Sequence, residues 1–150
     1  MAHMDAPFPA GLARQIGEVI SPARQAYHIL HFAFVFVPII AGLDKFFSYL
    51  TNWEMYLSRQ VTALLPVSGH DFMLAVGIVE IAAGLLVAFR PRVGGYLVAI
   101  WLWAIIANLI LTGSYFDIAL RDFGLSLGAL ALARLSSERL MIREPGQVRA

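Results

Sequence analysis

The chain has 150 residues, of which 59% are hydrophobic and 14% charged, and its mean hydropathy is +0.72. A soluble domain carries about 25% charged residues, so the composition excludes an ordinary water-soluble globule, and a net charge of +1 gives no footprint for nucleic acid. There is no cysteine, which excludes disulfides, thiolate metal sites and thiol chemistry on this polypeptide.

Residues 1–25 contain no apolar core of the kind a cleaved signal peptide carries. Within them, GLARQIGEVI sets Leu12, Ile16, Val19 and Ile20 at helical spacing, opposite Arg14, Gln15 and Glu18. That pattern predicts an amphipathic helix lying in the headgroup plane.

The first span is expected from Tyr27 to Phe47, with Ser21 and Pro22 as N-cap and first-turn proline and Pro38 as a kink. A bilayer core takes about 20 helical residues to cross, and this stretch supplies them. The next segment, WEMYLSRQVTALLP, repeats Trp53, Tyr56, Leu57, Val61 and Leu64 on one helical face until Pro66 stops it. It predicts a second interfacial helix.

The second span is expected from Asp71 to Phe89 and the third from Val93 to Thr112. The fourth is expected from Asp117, placed as its cap, to Leu135, with residues 136–150 as a tail. Gly124 and Gly128 form a small-xxx-small motif that predicts close helix packing there. No stretch alternates apolar and polar residues as a barrel strand would. The fold class is therefore all-α: a four-helix transmembrane bundle, one membrane domain over residues 1–150, with one or two interfacial amphipathic helices.

Orientation follows from the basic residues. Arg14, Arg24, Arg90, Arg92, Arg134, Arg139, Arg143 and Arg149 fall on one side, against Lys45, Arg59 and Arg121 on the other. The positive-inside rule puts both termini in the cytoplasm, and the plasma membrane of a bacterium or archaeon is the expected location. Tyr49, Trp53, Tyr56, Tyr115 and Phe116 then form an outer aromatic belt.

One carboxylate, Glu80, stands in the middle of FMLAVGIVEIAAGLLVAF. An ionised group in hydrocarbon costs several kcal/mol and is by default a functional-site residue. Every span brings polar groups into the same half of the membrane: Asp44 and Lys45 close the first, Asn108 lies in the third, and Arg121 and Asp122 open the fourth. Lys45, Glu80, Arg121 and Asp122 are expected to converge and neutralise one another, with Lys45 or Arg121 as the cation that holds Glu80. Such a cluster reads as a pocket for a polar headgroup, a quinone ring or a proton, or else as polar glue that fixes helix register.

Asp44 and Asp117 are secondary candidates, Asp117 forming an i, i+4 ion pair with Arg121. His28 and His31, at i, i+3, read as structural, so no metal is expected. Tyr96, Trp101 and Trp103 read as bundle or lipid-facing aromatics rather than cofactor clamps. No phosphate loop and no nucleophile elbow is present.

Four segments in order, AGLDKFF, GIVEIAAGLLV, RPRVGGYLVAI and RDFGLSLGALALA, resemble the DoxX-like family of small four-helix membrane proteins. The likeness rests on Gly42 and Lys45, Glu80 and Gly84, Arg90 and Arg92, and Arg121 and Asp122, and covers about residues 28 to 135. That family includes a membrane subunit of a thiosulfate:quinone oxidoreductase. The resemblance implies quinone-linked redox chemistry here, with a partner subunit supplying any sulfur chemistry, since this chain has no cysteine. Two function classes follow: a quinone- or lipid-binding membrane subunit of an oxidoreductase, or a non-catalytic scaffold or assembly factor. A small proton-coupled transporter, with Glu80 as the protonatable group, is a third. Whether the chain forms a homo-oligomer is left open.

Overall fold

The structure, a computed structural model, describes residues 21–142 and contains only helices and loops among them. Four long helices dominate: α1 (Pro22–Phe47), α3 (Gly69–Phe89), α4 (Pro91–Thr112) and α5 (Phe116–Ile142). Between α1 and α3 lie a 3₁₀ turn, Trp53–Tyr56, and a short helix, α2 (Arg59–Leu64). The expected amphipathic helix at residues 11–20 lies outside the described residues, as do Arg14, Arg143 and Arg149.

The helix ends follow from local chemistry. Ser21, Ser58 and Ser68 each cap a helix, their hydroxyls accepting from the backbone N–H of Arg24, Val61 and Asp71. Pro22 and Pro91 occupy first-turn positions, where the missing N–H costs no helical bond. Gly113 ends α4 in the left-handed region (φ 71°), which a residue without a Cβ adopts at no steric cost. The helical run of α1 continues through Pro38.

Three of the long helices, α1, α3 and α4, are long and apolar enough to cross a membrane. On α1, Ile29, Phe32, Phe36, Ile40, Leu43 and Phe47 recur every three or four residues and are exposed. A lipid-facing stripe explains them. The fourth helix, α5, carries Asp117, Arg121, Asp122 and Arg134, and packs along α4. It runs on to Ile142, past the expected end at Leu135, so residues 136–142 are helix rather than tail. There Ser136 and Ser137 donate their hydroxyls to the carbonyls of Leu132 and Ala133, four residues back.

The topology is up, down, up, down, with adjacent helices antiparallel. The tightest packing joins α1 to α3 and α4 to α5, and the α3–α4 hairpin unites the two pairs. Lipid tails are as apolar as leucine, so close backbone approach, not exclusion from water, holds such helices together. Gly42 and Gly77 supply it for the first pair: a Cβ on either would stand 2.5 or 2.7 Å from the other's carbonyl oxygen. Gly95 does the same for α4 and α5, against Ala129 and Ala133. The motif expected to do this, Gly124-xxx-Gly128, does not: Gly124 has nothing near it, and Gly128 faces the Phe34 ring.

The expected single interfacial helix over Trp53–Leu64 is also divided. It breaks at Leu57 and Ser58, because Ser58 caps α2 while its own N–H donates to the Asn108 side chain. Within the bundle, two apolar clusters form. One gathers Tyr27, Phe34, Val87, Val98 and Leu132 toward the end where Pro22 lies; the other gathers Ile106, Leu109 and Ala119 toward the loop-bearing end. The buried charged groups lie in the loop-side half.

Candidate functional site

Lys45 closes α1, and Glu80 lies halfway along α3. In a helix every Cα–Cβ bond leans toward the N-terminus. Because α1 and α3 are antiparallel, Lys45 leans toward the membrane centre and Glu80 leans toward the loops, so the two side chains approach each other. Gly77 lets the lysine stem pass: a Cβ there would meet Lys45 Cβ at 3.2 Å. Lys45 Nζ donates to Glu80 Oε2 at 2.6 Å, with side chains 2% and 10% exposed. A second, longer contact of 3.5 Å runs from Nζ to the Ala41 carbonyl.

The lysine is roofed from the loop side. Trp53 lays its ring 3.7 Å from Lys45 Nζ, a cation–π contact. Its indole N–H donates to Asp44 Oδ2 at 2.8 Å. Asp44 also accepts from the backbone N–H groups of Tyr49 and Leu50. One carboxylate therefore shapes the turn after α1 and holds the indole over its own neighbour. Asp44 belongs to this roof, and its oxygens are committed to it.

Asn108 is committed as well. Its carboxamide oxygen accepts from Ser58 N–H at 3.0 Å, and its Nδ2 donates to the Tyr56 carbonyl at 2.7 Å. Both ends of the amide pin the outer segment onto α4. Asn108 is an anchor for the loop rather than part of the charged layer.

The expected four-charge network resolves into two pairs. Arg121 donates through Nε and Nη2 to Oδ1 of its neighbour Asp122, at 3.1 and 3.0 Å. The Arg121 side chain is 64% exposed and that of Asp122 5%. Asp122 is therefore the member that reaches the interior, near enough to Glu80 for the two carboxylates to interact. Arg121 does not reach Glu80. The expected Asp117–Arg121 ion pair is not formed; Asp117 is exposed in the first turn of α5. A negative charge there complements the helix dipole.

One residue of the site, Trp101, was expected only as a bundle or lipid-facing aromatic. Gly94 of α4 packs directly on Val87 of α3. Seven residues further along each helix, two turns on the same face, Trp101 stands opposite Glu80. Its Nε1 is buried and makes no hydrogen bond, the one such atom among the described side chains. The indole N–H lies beside the Glu80 carboxylate and interacts with it as a weak donor, at a geometry looser than that of the bonds above. The two positions are nearly equidistant from Arg90, the sole residue between α3 and α4, which sets them at one level once the hairpin is known.

The two histidines differ in position. His31 Nε2 lies 3.1 Å from the Val87 carbonyl, tying α1 to α3, and its ring stacks on Tyr27. Among the described residues no three His, Cys, Asp or Glu side chains gather as a metal set. What the layer offers is a fixed ion pair, Lys45 and Glu80, with the Trp101 N–H beside the carboxylate. Comparison of the chain with protein-family models, curated proteins and solved structures returns no match.

Proposed function

We propose that this protein is a DoxX-like membrane subunit of an oxidoreductase, which binds the polar head of a quinone or a comparable lipid at the Lys45–Glu80 pair. The observation that carries this reading is the Lys45–Glu80 ion pair buried among apolar helices, with the Trp101 N–H beside it. A buried ion pair with an indole N–H beside it offers a ligand's polar head both charge and a hydrogen-bond donor. The ordered motifs around Gly42, Lys45, Glu80, Arg121 and Asp122 support the family reading, and the distribution of arginines supports cytoplasmic termini in a bacterial or archaeal plasma membrane.

The second reading, a scaffold or assembly factor, is favoured by a specific feature: the ion pair crosses the Gly42–Gly77 contact and would lock its register. Purification from native membrane separates the two. Co-purifying quinone, or a redox partner subunit, supports the first; a chain that carries neither supports the second.

A further inference from the structure

A hollow of about 440 Å³ opens between residues 55–60 and the loop-side end of α4, lined by Met55, Leu57, Arg59, Gln60, Leu111 and Thr112. Its position follows from Asn108, which pins the backbone of Tyr56 and Ser58 onto α4. Leu111 and Thr112 come three and four residues later, one turn further along the same face. The segment is held at Asn108 and leaves the hollow just beyond it. The volume falls within the range of small-ligand sites, about 300–1,000 Å³.

The lining is of two kinds. Arg59 presents five N–H donors, and its guanidinium makes no hydrogen bond or ion pair with any described residue; the Gln60 amide is equally uncommitted. No carboxylate lines the hollow, and the acidic residue closest in sequence, Glu54, is bonded to His70. Met55 and Leu111, each about half exposed, supply an apolar wall together with Leu57. The apolar span α4 ends at Thr112, so the hollow lies where hydrocarbon gives way to headgroups. Tyr56 and Tyr115, in edge-to-face contact, mark the same level.

We infer that this hollow holds the headgroup of an anionic phospholipid from the loop-side leaflet. Arg59 and Gln60 face the phosphate, and Met55, Leu57 and Leu111 face the glycerol and the first methylenes of the chains. A guanidinium can grip two phosphate oxygens at once. With one cation and no anion in the lining, the ammonium of a zwitterionic headgroup finds no partner there, and a net-negative headgroup is preferred. The hollow belongs to α2 and α4, whereas Lys45 and Glu80 belong to α1 and α3. The inference therefore does not depend on what that ion pair binds.

The test places the full chain in nanodiscs of phosphatidylcholine containing either phosphatidylglycerol or phosphatidylethanolamine, and native mass spectrometry of the released protein counts the lipid it retains. Phosphatidylglycerol should be retained about fivefold or more over both zwitterionic lipids, the effect of one cation on an anionic lipid. Arg59→Gln should abolish that preference without harming the fold, since the guanidinium bonds nothing in the chain. Leu111→Trp, which fills the hollow and keeps the charge, should abolish it too. Arg24→Gln, which removes an exposed cation at the opposite end of the bundle, should leave it intact. Excess inorganic phosphate should not displace the lipid. The inference is overturned by an unchanged preference in Arg59→Gln or Leu111→Trp, or by an equal loss in Arg24→Gln, which would mean diffuse attraction. Displacement by inorganic phosphate would also overturn it, because the site would then take phosphate without the lipid.

Discussion

Trp53 lies face-on over Lys45, its ring centroid 3.7 Å from the ammonium, while Lys45 reaches inward to Glu80. A cation so placed is screened from water by an aromatic face and held by a carboxylate. Neither partner of the buried pair can therefore be removed without consequence.

That arrangement predicts strong coupling between Lys45 and Glu80. Lys45→Met or Glu80→Leu alone leaves one buried charge uncompensated and should cost about 3–5 kcal/mol. The double variant should recover most of that loss, because an apolar pair of similar volume is often neutral. Reversible unfolding in mixed micelles measures the cycle. Additive losses would mean that the two groups do not share one interaction.

The two classes of glycine should separate cleanly. Gly42→Ala forces a methyl group to 2.5 Å from the Gly77 carbonyl, which is backbone and cannot swing away. A loss of about 1–3 kcal/mol is expected for such overpacking. Gly124→Ala meets nothing within 4 Å and should be neutral or stabilising by up to about 1 kcal/mol through helix propensity. Thermal unfolding of both in the same detergent decides; a loss at Gly124 would reveal a contact to another chain.

Asn108→Ala should loosen the segment between α1 and α3 without dissolving the bundle. It removes the acceptor of the Ser58 N–H and the donor to the Tyr56 carbonyl. A cost of about 1–3 kcal/mol is expected for the group left unpaired. Hydrogen exchange should accelerate over residues 51–65 and remain slow in α3 and α4. Uniform acceleration across all helices would show that Asn108 supports the whole bundle.

The topology can be read with single cysteines, since the background contains none. Ser58 is fully buried, whereas Gln60 on α2 is exposed, so Gln60→Cys is the site to label. A membrane-impermeant maleimide should reach it in intact cells if the segment is external. Labelling only after permeabilisation would reverse the orientation argued from the arginines.

Much of this was legible in the sequence. Long apolar runs announce spans directly, and a lone carboxylate in one of them marks a site because the bilayer makes its charge expensive. Lys45 as the partner of Glu80 could be foreseen, since both sit in the same half of adjacent spans. What failed were readings that needed inter-helix register. Gly124-xxx-Gly128 and the pair Gly42 and Gly77 look alike as text, and only packing shows which backbones touch. Arg121 has carboxylates at Asp117 and Asp122, and spacing alone does not say which one a long, rotatable guanidinium will take. Asn108 and Asp44 resembled ligand-binding residues because they are polar and near the membrane, yet both are used up by the backbone and indole N–H groups of the loop. Trp101 was read as a bundle or lipid-facing aromatic, since an aromatic residue in an apolar run carries no further signal until its opposite number is known.

The connection between α3 and α4 is one residue long, Arg90, with Gly94 pressed onto Val87 just beyond it. At the other end of the molecule the two helix pairs are joined by no such turn. A rotation of one pair against the other about Arg90 would displace each residue in proportion to its distance from it, opposed at the far end by the Asn108 hydrogen bonds. Glu80 and Trp101 stand about 15 Å up the arms, at 1.5 Å of rise per residue. A rotation of a few degrees, too small to disturb the packing at Val87, would part them by about an ångström, the scale on which a hydrogen bond is made or lost.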